Sequence, residues 1–327
     1  MTFSAILQKL ATERNWTTIL DSPGDLDAEM PEGPADLRRR LAWWAFADEP
    51  AAADTRQFLD RCWVGVPETG RGKLKARIEH GDEREAEAAI SELVTHEFLR
   101  RLGRLVEWAP RVGSLTPDLA VLIDSRRYLL DVYVRHNPSK TVVEVGPDYV
   151  ATCDSGERAQ ELAQVISSKA GKYAPTGLPL LLVVFLGDHW VKTVNVEEAV
   201  YGIRLEDLRF LAKSVDDLSK STRIDSVFFS DTVGIARHSN LSAVIAFDWF
   251  DTLNLENPGK RLGGVLLHHW KPTVRLISGA FGSFPEVVWN QDESGLWQPE
   301  VLGQMQVARF LPDGRLEFGE YTADQPW

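Results

Sequence analysis

Residues Thr116–Arg135, TPDLAVLIDSRRYLLDVYVR, read as two strands around a tight turn. Leu119 to Ile123 is a short apolar run of the buried-strand kind, and Tyr128 to Val134 is a second run rich in β-formers. Asp124-Ser125-Arg126 makes the turn between them. Side chains alternate across a strand, so Leu130, Val132 and Val134 share one face while Asp131, Tyr133 and Arg135 share the other. Asp131 is the misfit. A carboxylate inside an apolar strand is costly to bury unless it is paired or binds a cation. Asp118 stands at the mouth of the first strand, behind Pro117, and a hairpin brings it toward Asp131. Two hard oxygen ligands converging there suit Mg²⁺ or Mn²⁺. The plainer alternative for Asp118 is a cap or turn residue.

The segment before the hairpin, Asp82 to Leu102, predicts a long helix. Ala86, Ile90, Leu93, Val94 and Phe98 recur at helical spacing, and Gly103 is placed to end it. His96 is expected on the helix surface. Glu97 falls within the apolar arc and needs a partner. Leu105 to Trp108 predicts a short strand, closed by Pro110. After the hairpin, Thr141 to Val145 is a candidate strand extension. Gly156 to Tyr173 carries one apolar stripe, Ala159, Leu162, Ala163, Ile166, Ala170 and Tyr173, with Lys169 at its edge. Leu180 to Leu186 is a continuous apolar strand of the parallel, covered kind. Helix, three strands, helix and strand thus follow one another over residues 82–187.

Further out the pattern is looser. Phe3 to Arg14, Pro34 to Ala47, Asp54 to Trp63 and Arg71 to His80 predict helices, the last of them basic. Arg38, Arg39 and Arg40 beside Trp43 and Trp44 fit a nucleic-acid grip, or a helix with its tryptophans in the core. Beyond residue 187, Val196 to Lys213 predicts one or two helices. Val227 to Phe229, Ser242 to Phe250, Gly264 to Trp270, Val301 to Phe310 and Arg315 to Tyr321 predict strands, the last two as a hairpin around Pro312-Asp313-Gly314. These strands extend the core sheet or form a small sheet of their own. The expected organisation is an N-terminal helical region at 1–81, an α/β core at 82–187 and an α+β, β-rich extension at 188–327 packed on it.

Bulk properties narrow the classes. At 327 residues with 44% hydrophobic and 26% charged, the chain is long enough and apolar enough to bury a full core. The net charge of −12 argues against broad, unspecific affinity for nucleic acid, although a local basic rim or a bound cation overcomes an acidic average. Cys62 and Cys153 are the two cysteines, far apart, which fits a reducing cytoplasm without a disulfide framework. The apolar run Leu178 to Leu186 is too short to span a bilayer, and the first residues lack the apolar core of a signal peptide, so no membrane partner is expected. Phosphate-loop and Gly-x-Ser-x-Gly motifs are absent. His268 and His269 are adjacent, so on a strand they face opposite ways and cannot jointly hold zinc.

Pro117-Asp118, a short hairpin and Asp131-Val132-Tyr133 together resemble the signature of the PD-(D/E)XK nucleases, with Tyr133 where that family has Lys. Glu92, seven residues before Leu99 and eleven before Gly103, resembles the acid of the first helix in many of these enzymes. Ser91-Glu92-Leu93 with His96-Glu97, Lys169-Ala170-Gly171-Lys172-Tyr173 before a Pro-led strand, Leu241 to Ile245 and Trp270-Lys271-Pro272 are similar to a group of uncharacterised bacterial proteins of that superfamily in which the signature Lys is replaced. The resemblance implies a restriction-endonuclease-like core and divalent-metal-dependent cleavage of phosphodiester bonds. It implies Mg²⁺ or Mn²⁺ on Glu92, Asp118 and Asp131, and nucleic acid, DNA before RNA, as partner. Glu97 is the rival to Glu92. The chemistry also needs a positive group to steady developing charge. Tyr133 can hydrogen-bond but carries no ammonium. Lys169 from the second helix or Arg135 from the same strand face is the expected substitute, so the catalytic set is Asp118, Asp131, Lys169, Tyr133 and Arg135. The alternative is a catalytically inactive nuclease-fold protein that serves as a nucleic-acid-binding or protein-interaction module.

Overall fold

The computed structural model describes residues 2–16, 41–135, 155–186, 193–201, 226–229, 236–249, 260–291, 293, 297–303 and 306–320. Its helices, in chain order, are α1 (Phe3–Glu13), α2 (Pro50–Val64), α3 (Glu68–His80), α4 (Glu83–Arg101), α5 (Ser155–Tyr173) and α6 (Thr193–Tyr201), with a further helical stretch at 41–46. The strands are β1 (Leu105–Trp108), β2 (Leu119–Ile123), β3 (Arg126–Arg135), β4 (Leu180–Leu186), β5 (Leu241–Trp249), β6 (Lys260–His268), β7 (Glu286–Gln291), β8 (Trp297–Leu302), β9 (Gln306–Phe310) and β10 (Leu316–Glu320). They form one mixed ten-stranded sheet, so the chain is α/β.

Local chemistry explains the elements around the hairpin. Asp82 caps α4, its side chain accepting the Glu85 N–H at 3.0 Å. Gly103 ends it in the left-handed region at φ 72°. There the Gly103 N–H reaches the Arg100 carbonyl and the Arg104 N–H the Leu99 carbonyl, both at 3.0 Å. β2 and β3 are joined by Asp124 and Ser125 alone, at φ 48° and 60°, the primed turn whose twist matches that of the strands.

The sheet runs β1-β2-β3-β4-β5-β6-β7-β8. β1 to β3 form an antiparallel meander, and β3, β4 and β5 are parallel. β6 returns antiparallel to β5, and its far edge then forks. Residues 260–263 pair with β9 and residues 266 and 267 with β7. Gly264 lies at the fork with no room for a side chain, since a Cβ there would come within 2.8 Å of the Phe247 ring.

Alternation along the strands builds two cores. Leu130, Val132, Val134, Val183, Phe185 and Ile245 face α1 to α4. Leu129, Leu182, Val184, Val244 and Ala246 face α5 and α6. The sheet is therefore covered by helices on both sides, which is why β4 is apolar and buried at every position.

The structure decides between some of the expected alternatives and corrects other expectations. β5 pairs with β4 along its length, so the strands beyond residue 187 extend the same sheet. β7 was not foreseen. The single strand expected from Val301 to Phe310 is two strands: β8 pairs with β7, and β9 with β6 and β10. Val227 to Phe229 contributes only an isolated bridge, Phe229 to Ala236. His96 is buried rather than on the surface, because α4 lies between the sheet and the N-terminal helices. Trp44 is in the core and Trp43 packs against it, as the plainer reading of that helix held. Arg38 to Arg40, Lys140 and the stretch Thr141 to Val145 lie outside the described residues, as does most of Val196 to Lys213. Among the described residues no helix is long and apolar enough to cross a membrane.

Candidate functional site

β3 outruns β2, and the site lies where they part. Leu119 is paired with Leu130, and the ladder between the two strands stops there. Asp118, one residue upstream, continues it with its side chain: its Oδ2 accepts the Val132 N–H at 2.8 Å. The capping role considered for Asp118 is thus present, and it also holds the carboxyl beside Asp131. Asp131, 3% exposed, faces α5. Lys169 donates to its Oδ2 at 2.5 Å and the Tyr173 hydroxyl to its Oδ1 at 3.3 Å. The Lys172 ammonium is 3.2 Å from the same hydroxyl.

Glu92 approaches from the helix on the other face. It is buried and ion-paired with Arg77 of α3, whose Nε also donates to Glu85 at 2.9 Å. Burial pushes the Asp118 carboxyl well above its ordinary range, and the neighbouring Glu92 and Asp131 carboxylates push it further, against the pull of the Val132 N–H. Burial also raises Glu92, with Arg77 pulling it down and Asp131 and Glu85 adding to the rise. Burial raises the Tyr173 hydroxyl too, with Asp131 adding to it. The three acids expected from the sequence therefore sense one another.

The other expected residues fall as follows. Lys169 is at the site, its ammonium 5.9 Å from the centre of the Tyr133 ring. Tyr133 lines the same side of β3, its hydroxyl raised chiefly by burial. Arg135 is buried and pairs with Glu161 of α5. Glu97, the rival acid, is 1% exposed and lies between Arg100 and Arg101, with distances of 2.8 and 2.6 Å. Burial raises it, and the two arginines overcome that and hold it below the ordinary range. Both arginines belong to α4 itself, and Arg101 in turn donates to the Leu311 and Arg315 carbonyls. His96 packs on Trp108, and burial lowers its imidazole to about 4, so it is neutral at neutral pH.

A pocket of about 150 Å³ opens beside the acids. It is lined by Lys73, Leu74 and Arg77 of α3, Glu92 of α4, Trp108 and Ala109, and Thr116, Pro117 and Asp118. Arg77, Lys73, Trp108 and Tyr173 were missed as site residues. A signal for the first two exists. α3 buries Gly70, Leu74 and Ile78, and Lys73 and Arg77 lie three residues after the first two of these, on the same flank. Tyr173 closes the apolar stripe of α5, and a buried phenol needs a partner for its hydroxyl.

Among the described residues no group of three or more His, Cys, Asp and Glu side chains is arranged to hold a metal ion. Glu92 is withdrawn by Arg77. Asp118 and Asp131 lie side by side, Asp131 buried and itself paired with Lys169, and Asp118 held by the Val132 N–H. That donor set fits a hard divalent ion of the kind held by one or two carboxylates with water and substrate phosphate completing the shell. No family model, no curated protein and no solved structure matches the chain.

Proposed function

We propose that the chain is a divalent-metal-dependent nuclease of the PD-(D/E)XK type, acting on DNA. The observation that carries the reading is Lys169. Its ammonium contacts Asp131 at 2.5 Å from the helix side, so the cation that Tyr133 cannot supply is at hand. The order helix, three strands, helix, strand from α4 to β4 supports a restriction-endonuclease-like core. Asp118 and Asp131 would hold Mg²⁺ or Mn²⁺, which would activate water and polarise the phosphoryl oxygens. Lys169 steadies the charge that develops on the phosphate, and the Val132 N–H fixes Asp118. Tyr173 restrains the second oxygen of Asp131. Tyr133 forms the wall beside Lys169.

Labelled DNA and RNA incubated with Mn²⁺ test this reading. DNA cleavage is expected, lost on chelation and in Asp131→Ala. Lys169→Met should slow it about 10²–10³-fold, the usual loss for a group that stabilises developing charge, while calorimetry still shows Mn²⁺ binding. Absence of both cleavage and saturable Mn²⁺ binding overturns it. The Arg77–Glu92 ion pair favours a second reading, an inactive member that binds nucleic acid or protein. Nucleic-acid binding without Mn²⁺ binding is its signature.

A further inference from the structure

We infer that the pocket between α3 and the β1–β2 connection is a binding site for a backbone phosphate of nucleic acid, read by Lys73, Arg77, Trp108 and Thr116. The inference rests on the proposed nuclease reading and assigns the surface that receives the strand beside the acids.

Trp108 is 8% exposed, and its indole N–H has no acceptor. An orphaned buried donor is uncommon in folded proteins, and Trp108 is one of the residues that line the pocket. The ring is not a stacking platform. Its inner face meets α3 so closely that a Cβ on Gly70 would come within 2.8 Å of it, so what Trp108 offers is its N–H. Lys73 is exposed and makes no ion pair among the described residues. Arg77 uses Nη1 on Glu92 and Nε on Glu85. Its planar fork still has N–H bonds to offer a third oxygen. Thr116 adds a hydroxyl.

Lys73, Arg77, Trp108 and Thr116 all line one space of about 150 Å³, which suits a phosphate group. The pocket's charges are two cations, Lys73 and Arg77, and two carboxylates, Glu92 and Asp118. The pocket is therefore near balance. A divalent cation on Asp118 and Asp131 makes it positive, so phosphate and cation reinforce each other's binding.

The test is fluorescence anisotropy of a labelled single-stranded DNA oligonucleotide with the full chain, as a function of salt, in chelator and in Mn²⁺. Each phosphate contact contributes about 0.7 to the salt slope on a single strand, so Lys73→Ala should lower the slope by roughly that amount and weaken binding about three- to tenfold. Lys75→Ala is the control. Lys75 is on the same helix, lies 3.9 Å from Glu79 and is not in the pocket, so it should leave the slope unchanged. Trp108→Phe keeps the ring and removes the N–H, and should weaken binding about threefold with the slope unchanged. Mn²⁺ should tighten wild-type binding. If the wild type does not bind, or if Lys73→Ala and Lys75→Ala leave the same slope as wild type, the inference is overturned. DNA cleavage with an unaltered slope in Lys73→Ala rejects the pocket and keeps the nuclease. A Lys73-dependent slope without cleavage or Mn²⁺ binding does the reverse.

Discussion

Two mouths of the sheet hold buried acids, and they are built in opposite ways. At the start of β7, Glu286 is 3% exposed and its carboxylate is fully engaged. Ser278 donates at 2.7 Å, the Gly279 N–H at 2.7 Å, and the His268 ring lies at 3.2 Å. Burial raises this acid, but His268, Ser278 and Gly279 outweigh it and leave it below the ordinary range. At the end of the β2–β3 ladder, Asp118 has one N–H and two like charges as neighbours, and its carboxyl lies well above that range. A buried acid with a full set of donors holds a loop in place. One pressed against other acids is costly to the fold and invites a cation. By this criterion Glu286 and Glu97 are held by their donors and Asp118 is not, while Asp131, with Lys169 and Tyr173 on its oxygens, stands between the two cases.

Stability measurements separate the two. Glu286→Ala leaves Ser278, Gly279 and His268 without their acceptor in a buried place, and should cost about 3 kcal/mol or more in chemical denaturation. A loss below about 1 kcal/mol would remove the contrast.

Asp118→Asn should act with the other sign. The folded chain favours protonated Asp118, so the wild type keeps that contribution below the unfolded carboxyl range of about 4 and loses it as the pH rises through the raised value. Asparagine still accepts the Val132 N–H and carries no charge. The variant should therefore melt about 2 °C higher than wild type at neutral pH, with the gain vanishing in acid. Glu286→Gln should show the mirror image. The lowered carboxyl of Glu286 contributes above the unfolded range and loses that contribution as the pH falls through its folded value, so the variant's deficit shrinks in acid. Parallel pH profiles for the two variants would contradict the comparison.

The smallest effect is expected at Tyr173. Its bond to Asp131 is long, 3.3 Å, and Lys169 stays in place, so Tyr173→Phe should cost about 0.5–1 kcal/mol in denaturation. A loss of the size expected for Glu286→Ala would make Asp131 an anchor too.

The hairpin, α4 with its glycine cap, the stripe of α5 and the apolar β4 were readable because each signal is local. Alternation, helical period and turn residues act over a few positions. β7 was not readable. Its six residues, Glu286–Gln291, mix apolar and polar types without a clear period, and pairing with distant strands makes them a strand. His96 was misplaced for a related reason. One apolar stripe predicts one buried face, yet α4 is covered on both sides by elements far from it in sequence.

The candidate site divides in the same way. Asp131 in an apolar strand, Asp118 behind Pro117 and the turn that lets the two strands fold back were settled by residues within twenty positions of one another. Steric pairing rules and the cost of a buried carboxylate act at that range. Tertiary packing alone decided which cation faces which acid. Lys169 reaches Asp131 across 38 positions, whereas Arg77 binds Glu92 across the contact between two N-terminal helices. The sequence supplies more charged side chains than partners of known address. Only the packing of α3 and α5 onto opposite faces of the sheet selects the pairs, because ion pairing depends on distance and desolvation in the folded state rather than on spacing along the chain.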